Sequence, residues 1–511
     1  MEASPVRWID WTIVVVYLAA IAAAGLLFMR RNKSASAYFK GGGALPWWVV
    51  SFSLFMALFS PLSFLAVPAL VYSTDMSYLP IFFGAALAMP VASKWFLPFF
   101  RNLNLTSAYE YLEVRFNLTC RLFASAAFIL FMISLTAVVA YLPAVALAAV
   151  TGMNVNLAVT VVMAAAIVYC ATGGITALAW VDFVQSMLLF ISILAILAVL
   201  VCGTDGGLVG CIAKGVEGGK FNAFDFSLTW SRPLFWVVLV GGTVAQFISY
   251  SSDQRVVQRY MTVKDVPAAK KSMNMLLVAT FVSSTLVFLL GLALWTYYSS
   301  KGAFPPISKN DQILPVFIAN ELPVGIAGIA LAAIAATTVS TLAANLNSTA
   351  AAFTADFYRR LVMKGSRDER RELTCGRVCT VVAGLLGGGF ALVLVNGDIS
   401  SAYEQFQRYI GILTAGLSSL FVMGVFMKRV NGFGAVCGLA ANYIVTFGLD
   451  LAPWPGKPHL LLYGAFGMIA CLVVAPAASL VADIVKADRK EPGPDVPQAD
   501  GKAPHIVKGG L

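Results

Sequence analysis

Residues Phe52–Leu70 read FSLFMALFSPLSFLAVPAL. The run is apolar and of membrane-spanning length, yet Ser60-Pro61 stands near its middle. Proline has no N–H, and its ring clashes with the carbonyl four residues back. A helix here must kink or break, which leaves carbonyls near Met56 to Phe59 without partners. Two readings stand side by side: a plain proline kink, or a broken helix whose carbonyls serve a hard cation such as sodium.

The chain around this stretch has the same character. It has 511 residues, 59% hydrophobic and 12% charged, with mean hydropathy +0.82. Soluble chains are closer to half apolar and a quarter charged. Apolar runs of spanning length lie at 9–28, 46–72, 78–100, 121–150, 155–172, 182–203, 233–254, 272–298, 321–354, 375–396, 405–427, 431–450 and 459–485. They predict an all-α polytopic membrane protein with thirteen transmembrane helices. Runs this long exclude barrel strands. No nucleophile–base constellation points to an enzyme.

The net charge of +10 does not indicate nucleic acid, because the basic residues form short clusters between apolar runs. An odd helix count puts the termini on opposite sides. With the N-terminus outside, Arg7, Lys214, Lys220, Arg232, Lys301, Lys309 and Lys457 fall outside, and Arg408 falls within a helix. The rest of the 35 Lys and Arg, including Arg255 and Arg259, fall in inner loops and the tail. This bias predicts an inner (plasma) membrane protein with its C-terminus in the cytoplasm. The N-terminal run lacks a basic start and a cleavage pattern, so it reads as a retained first helix. Residues 486–511, rich in Pro and Gly, are expected to be a disordered tail too short for a signalling domain. The eight cysteines show no zinc spacing, and Cys202 and Cys211 could pair if their loop faces an oxidising compartment. His459 and His505 do not suggest a metal pair.

Two further places are polar at membrane depth. Thr337–Ser348 reads TTVSTLAANLNS, and seven of its twelve residues are Thr, Ser or Asn. Ser340 and Thr341 diverge by about a hundred degrees, yet two adjacent hydroxyls can straddle a cation between this helix and a neighbour. Small residues that let helices approach explain the same pattern. Asp182 lies just inside an apolar run. It either pairs with a cation or meets water, or caps the first turn of a helix.

Four stretches carry a resemblance: YFKGGGALPWW (38–48), ATGGITALAWVDFVQ (171–185), SSDQRVVQRYMTVKD (251–265) and STLAANLNSTAAAFTADFYRR (340–360). In this order they resemble the bacterial sodium:solute symporter family over about residues 8–485. FRNLNLTSAYEYLEVRFNLTCRLFASAAFILF (100–131) is most similar to the sialic acid transporter branch. The resemblance implies a LeuT-type core of two inverted five-helix repeats, about 46–203 and 233–427, with one helix before and two after. It implies breaks in the first helix of each repeat, at Ser60-Pro61 and at Gly241-Gly242. It implies a sodium site made by the carbonyls of Met56, Phe59 and Thr337 and the hydroxyls of Ser340 and Thr341. The branch's further sodium site would use Asp182, but its two serine positions are Ala343 and Ala344. One sodium per cycle is therefore expected, and Asp182→Ala should be milder than Ser340→Ala.

The solute positions implied by the resemblance depart further. The branch's carboxylate-binding arginine corresponds to Leu135, and its threonine and glutamine contacts correspond to Leu58 and Phe82. Ser60 and Ser63 keep hydroxyls, Gln246 and Gln407 could donate, and Tyr250 holds an aromatic gate position. Arg408 either reaches a substrate carboxylate or pairs with Glu404 one turn away. The expected activity is sodium-coupled symport of a small sugar-like solute by a carrier functional as a monomer in the bilayer. The alternatives are acid uptake through Arg408 and a passive channel.

Overall fold

The computed structural model describes residues 7–29, 45–103, 107–172, 175–364, 368–397, 401–453 and 456–488. Of the tail expected over 486–511, residues 486–488 continue the last helix, which ends at Asp488, and 489–511 lie outside the described residues, as do the glycines of the 38–48 signature. All regular structure among the described residues is helical. The α-helices are α1 (Trp8–Met29), α2 (Trp47–Leu58), α3 (Val67–Ser73), α4 (Ile81–Val91), α5 (Leu97–Leu103), α6 (Glu110–Arg115), α7 (Leu118–Thr151), α8 (Val155–Thr172), α9 (Ile175–Cys202), α10 (Gly207–Glu217), α11 (Phe235–Ser252), α12 (Gln254–Tyr260), α13 (Val266–Lys301), α14 (Ile313–Asn320), α15 (Ile326–Ala352), α16 (Glu369–Asn396), α17 (Ala402–Phe426), α18 (Gly432–Leu451) and α19 (Tyr463–Asp488).

Among the described residues, ten helices are long and apolar enough to cross a membrane. An eleventh span exists if Trp47–Leu58 and Leu62–Ser73, bent by 64°, count as one. Trp8–Ile21 and Val155–Cys170 are shorter apolar helices. Local chemistry sets several of the ends. Asn117 caps α7 by accepting from the Cys120 N–H at 2.8 Å, and Asp265 caps α13 by accepting from Ala268 at 2.8 Å. Gly152 and Gly302, at φ 69° and 64°, close the same two helices in the left-handed region.

α15 lies at the centre, packed against α1, α2, α7, α9 and α16. Its run of Ala, Gly, Ser and Thr allows this crowding, because small side chains let backbones approach. The same helix carries the hydroxyl-rich stretch, so that stretch faces protein rather than lipid.

The two expected breaks fare differently. The first is present: Phe59 leaves the helix at φ −85°, ψ 107°. The second is not at Gly241-Gly242, because α11 runs unbroken through both. A Cβ on Gly242 would stand 2.8 Å from the Ile81 Cα, and one on Gly84 would stand 2.4 Å from the Thr243 nitrogen. These glycines let α4 and α11 touch. The chain instead leaves helical geometry at Asp253, between α11 and α12. All eight cysteines are free thiols, with Cys202 exposed and Cys211 buried.

Candidate functional site: a cavity between two helix breaks

Pro61 would, as any other residue, donate its N–H to the Ala57 carbonyl. The Arg255 guanidinium takes that place, with Nη1 donating to the Ala57 oxygen at 3.2 Å. The Leu62 N–H turns to the Ser60 hydroxyl at 3.2 Å, and the Ser63 N–H to the Ser60 carbonyl at 2.9 Å. The donors that would serve the Leu58 and Phe59 carbonyls are thus directed elsewhere. The break on one side of the cavity is tied directly to the break on the other, because Arg255 follows Asp253.

Arg255 is buried and fully engaged. Its Nε donates to both Asp253 oxygens at 3.1 Å, its Nη2 to Asp253 Oδ2, and its Nη1 to Asn345 Oδ1 at 3.0 Å on α15. Asp253 also accepts from the Arg255 N–H and so caps α12. One guanidinium therefore joins α2, α12 and α15.

A cavity of ≈ 120 Å³ opens between the breaks. Leu58, Ser60, Ser63, Phe82, Leu135, Gln246, Tyr250 and Gln407 all line it, together with Phe59 and Thr341. Arg255, Ser249, Thr280, Ser284, Tyr403 and Phe406 line it too; none of these was singled out from sequence. Arg255 had a signal there, as a charge two residues from Asp253 inside a signature stretch. Ser249, Thr280 and Ser284 had none, since serine and threonine are ordinary in membrane helices.

Two lining groups are buried without a hydrogen-bond partner: Thr341 Oγ1 and Gln407 Nε2. Such groups call for an explanation. The other residues expected around a cation lie close by in α2 and α15, all buried: Met56, Thr337 and Ser340. The Thr337 hydroxyl donates to the Ala333 and Ile334 carbonyls, at 3.1 and 3.0 Å. Ala343 and Ala344 are buried and present methyl groups.

Asp182 is not a cap. It lies well inside α9 and is 1% exposed. Arg259 Nη2 stands 3.3 Å away, and Ser53 donates at 2.6 Å. Ser340 donates to the other carboxylate oxygen. A hydroxyl that gives its proton to a carboxylate keeps its lone pairs for a cation. Arg255 and Arg259, expected in an inner loop, are buried at 4% and 3% exposure and contribute to helix contacts instead.

Arg408 does not line the cavity. It forms a two-pronged pair with Asp450, Nε–Oδ1 2.7 Å and Nη2–Oδ2 2.6 Å. Glu404, its expected partner, instead accepts from the Tyr78 hydroxyl at 3.4 Å. Asp450, on α18, was invisible as a competitor because it lies 42 positions away.

A multi-pass helical bundle with a broken helix and a central cavity of mixed apolar and polar lining, two of whose polar groups are unpartnered, fits a membrane carrier. The chain belongs to the sodium:solute symporter family, whose profile matches residues 38–441. It is 34% identical to the sodium/sialic acid symporter NanT of Aliivibrio fischeri, over 95% of both chains. It is 31% identical to the sodium/sialic acid symporter SiaT of Proteus mirabilis, over 94% of this chain and 99% of that one. Among solved structures it is similar to a Na+-coupled sialic acid symporter in a substrate-bound outward-open state described as having a novel Na+-site. The TM-score is 0.86 at 29% identity, covering 93% of this chain and 98% of that one. The nucleobase-cation-symport-1 transporter Mhp1 shares the fold at TM-score 0.59 and 14% identity. The chain is accordingly a sodium-coupled symporter, a transporter and not an enzyme.

Proposed function

We propose that the protein couples one sodium ion to uptake of a compact, neutral, sugar-like solute by alternating access around the cavity. The carrying observation is the two unpartnered groups that line the cavity from different helices: Thr341 on α15 offers an oxygen, and Gln407 on α17 offers an N–H. The oxygen suits a cation, and the N–H suits a solute hydroxyl or carbonyl. Sodium would sit between α2 and α15, held by the carbonyls of Met56, Phe59 and Thr337 and the hydroxyls of Ser340 and Thr341. Asp182 would act through Ser340 rather than as a direct ligand. Ala343 and Ala344 offer no oxygen for a second ion.

The proposed frame is thirteen spans: the ten long helices, the bent pair as one, and the two shorter apolar helices. We propose a LeuT-type order, with repeats at about 46–203 and 233–427 within a membrane domain over 1–485. The N-terminus lies outside and the C-terminus inside an inner (plasma) membrane, and the monomer is the working unit. The inside assignment loses Arg255 and Arg259, but the clusters around 359–377 and after 486 still support it.

Solute preference follows from the cavity's charge. Arg255 is the sole cation among the lining residues, and Asp253 already balances it. Leu135 is 2% exposed and cannot pair with an acid. A carboxylate placed there costs several kcal/mol. Sialic acid is the second reading, favoured by the full-length likeness to two sialic acid symporters. Calorimetry in sodium buffer separates the two. Neutral monosaccharides should bind, N-acetylneuraminate should bind weakly, and Leu135→Arg should improve acid binding. Tight N-acetylneuraminate binding to the unaltered protein overturns the neutral-solute reading. In proteoliposomes, uptake should require an inward sodium gradient with a Hill coefficient near one. A coefficient near two would overturn the single-ion proposal, and solute-independent sodium current would favour a channel.

A further inference from the structure

A second, larger recess lies away from the central cavity. It measures ≈ 650 Å³ and is bounded by α7, the end of α15 with its continuation, and α16. Its walls are apolar and open outward: Val378, Val382 and Leu386 are 57%, 49% and 48% exposed on a membrane-spanning helix. Ile133 and Phe353 face them across the groove. One end is different. Arg370, Arg371 and Tyr358 line it, and both arginines are exposed.

From this pattern we propose that the groove is a binding site for one anionic phospholipid. An acyl chain lies along Val378, Val382 and Leu386, and the phosphate meets Arg370 and Arg371. Length agrees with this. Arg371 and Leu386 stand about 22 Å apart at roughly 1.5 Å per residue. One leaflet of a hydrocarbon core about 30 Å thick, with part of its headgroup region, spans a similar depth.

Charge favours an anion over a neutral headgroup. Phe357–Arg377 contains seven basic and three acidic residues. Arg359 and Arg360 are already paired, with Glu372 and Glu113 respectively. Asp368 caps α16 and stands 3.2 Å from Arg371 Nε. It offsets part of one guanidinium and leaves Arg370 uncompensated by it. Basic pockets between membrane helices suit anionic headgroups for this reason. The bound lipid would lie against Thr349 and Phe353, on the helix that carries Ser340 and Thr341.

The test is lipid retention by purified protein, read by native mass spectrometry after exposure to equimolar phosphatidylcholine and phosphatidylglycerol. One phosphatidylglycerol should be retained about tenfold over phosphatidylcholine. Arg370→Gln with Arg371→Gln should remove the preference. Val382→Trp, which fills the groove and leaves both arginines, should remove retention. Soluble glycerophosphate, with the charge and no chain, should not displace the lipid. Sodium-driven uptake in pure phosphatidylcholine vesicles reports that each variant is folded. Equal retention of the two lipids overturns the proposal, as does unchanged retention in Val382→Trp. Self-association that Val382→Trp abolishes also overturns it, because a second copy would then occupy the groove.

Discussion

Two arginine–aspartate pairs, one at the heart of the bundle and one at its rim, rank in opposite order by distance and by consequence. Arg408–Asp450 is the closer, at 2.6 Å and two-pronged, with side-chain exposures of 42% and 10%. Arg259–Asp182 is looser, at 3.3 Å, with exposures of 3% and 2%. Solvent reaches the first pair on the Arg408 side and can hydrate that guanidinium if Asp450 is lost. The second has no solvent to fall back on, and its carboxylate also holds Ser53 and Ser340. Exposed pairs contribute about 0–1 kcal/mol, whereas removing one partner of a buried pair costs about 3–5 kcal/mol. Burial and shared partners, not contact distance, decide which pair matters.

The largest expected effect comes from breaking the inner pair. Asp182→Ala leaves the Arg259 guanidinium buried beside Ser53 without its carboxylate. The variant should lose about 3–5 kcal/mol of stability, read as a lower melting temperature in detergent. Its surviving fraction should also need more sodium, because Ser340 loses the acceptor that orients its hydroxyl. This reverses the mild effect expected from sequence. A variant that melts like the parent protein would show that Arg259 finds another partner and that the contrast between the pairs is overstated.

A smaller and more selective effect is expected next to that pair. Thr341→Ala removes a hydroxyl with no partner in the protein, so stability should be unchanged or slightly higher. The sodium concentration for half-maximal uptake should rise about tenfold, equivalent to ~1.4 kcal/mol. The two substitutions thus separate two roles. In the proposed site Asp182 would support the frame and, through it, the ion, and Thr341 would touch the ion alone. Sodium dependence unchanged in Thr341→Ala but abolished in Asp182→Ala would place the ion at the carboxylate instead.

What could be seen in the sequence follows the range of the physics. Pro61 was legible because its rule is local: a missing N–H breaks a helix wherever it stands. The hydroxyl-rich run of α15 was legible for a similar reason, since composition alone marks it as unsuited to lipid. Gly241-Gly242 was misread because glycine serves two ends. It loosens a helix, and it lets helices touch; only the presence of Leu461 against Gly241 and Ile81 against Gly242 selects the second. Arg255 and Arg259 were counted as loop charges because Asn345 and Asp182 lie 90 and 77 positions away. A short basic cluster after an apolar run looks the same whether it faces water or buried carboxylates.

The smallest effect is expected at the rim, and it bears most directly on the solute. If Arg408 were part of the binding site, removing it would weaken acid uptake strongly and neutral uptake little. The geometry opposes this. Both prongs of the guanidinium are engaged by Asp450, and Arg408 is absent from the cavity lining although its neighbour Gln407 is part of it. Gln407 lines the cavity, whereas the Arg408 side chain, about a hundred degrees further round the helix, is held by Asp450. Arg408→Gln should therefore change KM for any solute by less than about twofold, within the 0–1 kcal/mol of an exposed pair. Asp450→Asn should match it, since either change dissolves the same pair. A selective loss of acid uptake in Arg408→Gln, absent in Asp450→Asn, would mean that the guanidinium leaves Asp450 for the substrate during the cycle. In that case the rim pair, not the inner one, would choose the solute.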